Sequence, residues 1–176
     1  MPRALVVFES MFGNTEAVAR AVAAGLSETV PVDVVEVGSA PIEPDDDVVL
    51  LVVGGPTHAF GLSRTDTRHE AAARRDGVLP VSSGIGIREW LEAARLRPGL
   101  ATAAFATRTA IRWVPGTAAR AIGRRLRRRG LDVVVSPRSF HVTGIEGPLV
   151  EGELVRARDW GARVGETVGV AAGRTS

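Results

Sequence analysis

The stretch Glu9-Ser10-Met11-Phe12-Gly13-Asn14-Thr15 sets hydroxyl and amide donors into a turn between an apolar run and a helical pattern. Ser10, Asn14 and Thr15 offer side-chain donors, Gly13 allows close backbone approach, and a helix starting here adds unpaired amides and a dipole that favours an anion. Such a turn can hold a terminal phosphate without any cationic residue. The same residue types also cap helices for local reasons, but one cap accounts for one of them and leaves the density of the stretch unexplained. A dinucleotide fingerprint would place three glycines here and a Walker loop would end in Gly-Lys-Ser/Thr; neither is present. Ser10 is no nucleophile elbow either, since Glu-Ser-Met-Phe-Gly lacks the leading glycine and no triad partners are placed for it.

The elements that must position this turn follow from hydrophobic periodicity. Ala4 to Phe8 is a short apolar strand, and Ala17, Val18, Ala21, Val22 and Gly25 follow at helical spacing. Val32 to Val37 forms a second strand. Val48 to Val53 contains no polar residue, as expected of a strand buried on both faces of a parallel sheet, with Asp45-Asp46-Asp47 as a solvated edge before it. Leu100 to Ala106 is a fourth strand and Leu131 to Val135, resuming around Phe140, a fifth. A helix is expected over Thr117 to Arg129, with an apolar stripe of Ala118, Ala119, Ile122 and Leu126 and with Gly130 as terminator. Another starts near Val150, its stripe Val150, Leu154, Ala157, Gly161, Val164 and Val168. Between Gly61 and Ile87 the pattern supports only a short helix around Thr67 to Arg75 and a Gly/Ser/Pro-rich loop before Arg88-Glu89-Trp90-Leu91. Five strands alternating with helices predict one α/β domain over residues 1–176, an open parallel sheet covered on both faces, with the last few residues a tail. Ligands of such sheets bind beyond the carboxyl ends of the strands, where strand order reverses.

Composition narrows the chemistry. The 176 residues include no cysteine, which removes disulfides, thiolate metal sites and thiol nucleophiles and suits a reducing cytoplasm. No apolar run reaches the ~20 residues of a membrane helix, and the opening residues lack a signal-peptide pattern. All 22 basic residues are Arg, against 20 acidic ones, for a net charge of +2. The sequence pI near 10.7 reflects missing groups: without Lys, Tyr or Cys almost nothing titrates below the Arg pKa above ~12. It is therefore weak support for a nucleic-acid partner. His58, His69 and His141 show no metal-ligand spacing, and the carboxylates are scattered with no acid–base pair among them.

The run VVFESMFGNTEAVARAV resembles the phosphate loop of the flavodoxin family position by position: two aliphatics, an aromatic, Ser two residues on, a small residue, Thr, then Ala and an aliphatic at fixed distances. The resemblance implies a doubly wound five-stranded parallel sheet of order 2-1-3-4-5 and one FMN at its carboxyl edge. Gly54-Gly55-Pro56-Thr57-His58-Ala59-Phe60-Gly61 resembles the second flavin loop of the superfamily, in the Gly-x-Pro-Thr form of flavodiiron modules and quinone reductases. On that reading Pro56, Thr57, His58, Ala59, Phe60 and Gly61 meet the ring, with His58 or Phe60 over a face; the alternative is a plain strand-ending turn.

The third loop, Ala106-Thr107-Arg108-Thr109, departs from the family, and no Tyr exists to stack on the flavin, which leaves Trp113 or Phe60. Thr107 and Arg108 are the implied contacts. Arg108 either lies near the pyrimidine edge, where its charge would stabilise anionic reduced flavin and Arg108→Ala would shift the midpoint potential, or points to solvent.

The implied function is electron transfer through FMN, with a redox partner protein or a small donor or acceptor. The alternatives are an NAD(P)H-dependent quinone or flavin oxidoreductase of the same fold, with residues 62–87 as the material for a substrate pocket, and a flavin-free binding module. The run Arg124-Arg125-Leu126-Arg127-Arg128-Arg129, with Arg120, is either a solvated surface or a docking site for an acidic partner, the reverse of the acidic surface usual in flavodoxins.

Overall fold

The computed structural model describes residues 1–58, 61–73, 79–110 and 116–172. The strands are β1 (Arg3–Phe8), β2 (Val32–Glu36), β3 (Val48–Pro56), β4 (Ala101–Thr109), β5 (Asp132–Val133) and β6 (Arg138–Val142). The helices are α1 (Asn14–Leu26), α2 (Thr65–Ala73), α3 (Ile87–Ala93), α4 (Ala118–Arg128) and α5 (Glu153–Ala172). The pairings between these strands are parallel, in the order β2-β1-β3-β4-β5, with β6 also on β4. This is the doubly wound order expected from the sequence. The expected tail over the last residues, 173–176, lies outside the described residues, as do Ala59, Phe60 and Trp113.

Strand period explains how one sheet supports two cores. Leu5, Val7, Leu51, Val53, Ala104 and Ala106 face α3 and α4, where Ile87, Trp90, Ile122 and Leu126 complete one cluster. The alternate residues Ala4, Val6, Phe8, Leu50, Val52 and Phe105 face Val18, Val22, Leu26, Ala157 and Val164 of α1 and α5. Burial on both faces is why β1 and β3 read as unbroken apolar runs. Phe105, Phe140 and Trp160 pack edge to face at 6.2–6.4 Å between centroids. Gly54 makes room for that cluster, since a Cβ there would lie 2.0 Å from Phe105 Cζ.

The fifth strand is interrupted and resumes as the sequence suggested, although its first part is only Asp132–Val133: β4 advances three residues from Thr102 to Phe105 while its partner advances five from Val133 to Arg138. Pro137 falls in the break, where it has no N–H to give the ladder. The start of the last helix is corrected. Helix α5 begins at Glu153, and Leu154 is 45% exposed instead of lining the core. The inward position goes to Glu153, whose carboxylate accepts the His141 amide at 2.5 Å and a bond from Arg156 Nη2 at 2.7 Å. Strands β3 and β4 both run three residues past their expected ends, to Pro56 and Thr109, which carries their last residues up to the carboxyl edge. No helix among the described residues is long and apolar enough to cross a membrane.

Candidate functional site

At the carboxyl edge of β1, β3 and β4 lies a cleft of about 290 Å³. Ser10, Met11, Phe12, Asn14 and Thr15 line it from the first turn, Pro56, Thr57 and His58 from the end of β3, and Thr107 and Arg108 from the end of β4. Three segments separated by some forty to fifty residues each converge because their strands are sheet neighbours. Arg108 is half-buried and lines the wall.

The first turn is built to leave donors open. Gly13 stands at φ +91°, a left-handed conformation that L side chains rarely adopt, and no side chain caps the start of α1. Among the described residues, no side chain accepts a first-turn amide of α1. Ser10 Oγ accepts the Gly13 amide at 3.1 Å, which folds the turn back on itself. The Thr15 and Thr107 hydroxyls lie 2.7 Å apart and both side chains are buried, so β4 and α1 meet through a pair of hydroxyls at the floor of the cleft. Asn14 Nδ2 donates to Glu146 O at 2.8 Å and so ties the turn to the loop after β6.

The second loop is pinned by backbone. The Thr57 amide donates to Thr107 O at 2.8 Å, while Thr57 Oγ1 accepts the Ala118 amide at 3.2 Å and joins the loop to the start of α4. His58 and Gly61 exchange two backbone hydrogen bonds of 2.8 Å. Gly13 and Gly61 shape the loops without lining the cleft. Burial holds the His58 imidazole below its ordinary pKa, and the Arg68 charge pushes the same way, so its neutral form is favoured.

Sequence reasoning missed part of the wall. Thr67, Glu70 and Ala71 of α2 line the cleft, with Thr109, Val142 and Ile145. It also missed a buried polar cluster behind the first turn. Glu9 is fully buried; one carboxylate oxygen accepts from the Ser63 hydroxyl and the other from the Ile87 amide at 2.8 Å. Arg68 donates to Ser63 Oγ at 3.1 Å and to Glu89 at 2.8 and 3.3 Å. Burial raises the Glu9 pKa, against the lowering effect of Ser63, Ile87 and Arg68. Burial also works against the charge on Glu89, yet its bonds from Arg68 win and hold it below the ordinary carboxylate value. Partners so far apart in the chain leave no spacing to read; the signal available was a lone carboxylate directly after an apolar strand.

The model of the flavodoxin family matches residues 6–106, which contain the first turn, the second loop and most of β4. No curated protein matches the chain. Among solved structures, a flavodoxin from the domain Archaea is 19% identical with a TM-score of 0.65, over 94% of this chain and 98% of that one. Oxidised flavodoxin 1 from Bacillus cereus is 20% identical with a TM-score of 0.65, over 93% and 97%. The flavodiiron protein from Giardia intestinalis is 18% identical with a TM-score of 0.61, over 99% of this chain and 38% of its own. At these identities the structures speak for the fold, and the family match for the lineage: the chain belongs to the flavodoxin family, whose members bind flavin and transfer electrons.

Proposed function

We propose that this protein binds one FMN in the cleft at the carboxyl edge of its sheet and passes electrons through it. The observation that carries the reading is the uncapped start of α1 behind Gly13, with the hydroxyls of Ser10, Thr15 and Thr107 beside it. A phosphomonoester needs several donors and tolerates their neutrality when a helix N-terminus adds its field. That donor set fits the phosphate of FMN. The ring falls to Pro56, Thr57 and His58 with Thr107 and Arg108, where backbone groups and a neutral imidazole meet a flat, mostly apolar surface. When bound, FMN would supply the one- and two-electron chemistry, and the protein would supply position and charge. Titration of flavin-free protein with FMN at micromolar concentration, followed by flavin fluorescence, should give saturable one-to-one binding. No uptake would leave an α/β domain without this function.

The wall contributed by α2 favours a second reading. Thr67, Glu70 and Ala71 stand where a small donor or acceptor could meet the flavin, as in an NAD(P)H-dependent quinone oxidoreductase. Steady NAD(P)H oxidation with a quinone by the purified flavoprotein selects that reading over a carrier.

As a carrier, the protein would meet an acidic partner through α4. Arg120, Arg124, Arg127 and Arg128 are exposed, whereas Arg129 is spent on Leu91 O and Ala94 O and Arg125 lies 3.6 Å from Glu92. Helix α4 starts beside Thr57 and carries most of this charge away from the cleft. Docking through α4 should therefore lose affinity steeply with added salt, and association rates flat between 20 mM and 500 mM, roughly a fivefold change in Debye length, would exclude it.

A further inference from the structure

We propose that Glu9 and Ser82 are positioning residues for the phosphate end of the cleft, through which the stretches 62–73 and 79–93 hold Ser10 in the geometry that receives a phosphomonoester. The inference rests on the FMN reading and deepens it. The Ser10 main chain is paired on both sides by a segment more than seventy residues away: its amide donates to Ser82 Oγ at 2.9 Å, and its carbonyl accepts the Ser82 amide at 2.7 Å. Ser10 and Ser82 are both buried. One residue earlier, the Glu9 carboxylate takes the Ser63 hydroxyl and the Ile87 amide, so both stretches close on the residue that follows β1.

The cluster around Glu9 is built tightly. Arg68, 8% exposed, bonds Ser63 and pairs with Glu89, which in turn accepts the Gly86 amide at 3.0 Å. A Cβ on Gly86 would come 2.5 Å from Arg68 Nη1, 2.8 Å from Glu9 Oε2 and 2.9 Å from Ser63 Oγ. A buried carboxylate is costly unless every lone pair finds a donor, and here the donors come from the two stretches and from nowhere else among the described residues. With the Ser10 backbone fixed, its hydroxyl is aimed at the Gly13 amide and the mouth of the turn. The turn then needs no ordering when the ligand arrives, which is where preorganisation adds affinity.

The test compares FMN with riboflavin, which has the same ring and no phosphate, on flavin-free Ser82→Ala and Glu9→Gln proteins. A loosened phosphate turn should lower the FMN-to-riboflavin affinity ratio about tenfold, the effect of one buried donor left without its acceptor. General loosening of the fold would lower both affinities together and leave the ratio at its wild-type value. That result in Ser82→Ala overturns the proposal, and so does unchanged amide exchange at Ser10. Should Glu9→Gln fail to fold, Ser82→Ala decides alone. Wild-type protein that binds riboflavin as tightly as FMN would refute the phosphate assignment itself and the inference with it.

Discussion

Thr15→Val combined with Ser10→Ala is expected to weaken FMN binding by roughly a hundred- to ten-thousand-fold. Hydrogen bonds to a charged group contribute about 1.5–3 kcal/mol each, and the double variant removes two hydroxyls placed around the start of α1. Val matches Thr in shape, so the loss at residue 15 is chemical: the Thr107 hydroxyl, 2.7 Å away, also loses its partner. Ala at residue 10 leaves the Gly13 amide without its acceptor and frees the turn. The α1 amides remain, which is why some binding should survive. Riboflavin affinity is the internal control, because it senses the ring loops and not the phosphate. FMN affinity within threefold of wild type in the double variant would mean that the phosphate is held elsewhere.

The first turn was legible in the sequence because its donors are contiguous, from Ser10 to Thr15, and because an apolar strand and a helical pattern flank it. Ala4 to Phe8 of β1 and Val48 to Val53 of β3 were legible as runs without polar residues, a consequence of burial on both faces. What escaped was everything whose partner lies far along the chain. Glu9 reads as one of many scattered carboxylates until Ser63 and Ile87 are folded against it. Asn14 lines the cleft, and its bond to Glu146 O could not be read from spacing. The start of α5 was misjudged because a stripe of Val150 and Leu154 is a good helical period, while the position that turns inward belongs to a Glu satisfied by a strand amide and an Arg. The stretch from Gly61 to Ile87 lacked an apolar period because α2 buries Arg68 and turns Thr67, Glu70 and Ala71 to the cleft. Periodicity reports which residues leave water; it is silent about polar groups that leave water in company.

Gly161→Ala should cost about 2 kcal/mol net and lower the melting temperature by about 4–8 °C, although it replaces the poorest ordinary helix former with the best. A Cβ at Gly161 would stand 2.1 Å from Val22 O, and one at Gly25 would stand 2.0 Å from Arg158 O. α1 and α5 thus touch backbone to backbone at this crossing, and a carbonyl inside a helix cannot swing aside as a side chain can. Overpacking of about 3 kcal/mol therefore outweighs the gain of about 1 kcal/mol in helix propensity. Gly169 supplies the contrast on the same helix: it is exposed, and its added Cβ would meet Thr29 Cγ2 at an ordinary 3.4 Å, so Gly169→Ala should stabilise by up to about 1 kcal/mol. Equal effects of the two substitutions in thermal melts would show that propensity, and not the helix crossing, governs α5. Because α1 begins at the phosphate turn, any retreat of α5 that drags α1 with it should also weaken FMN binding in Gly161→Ala, while Gly169→Ala leaves it unchanged.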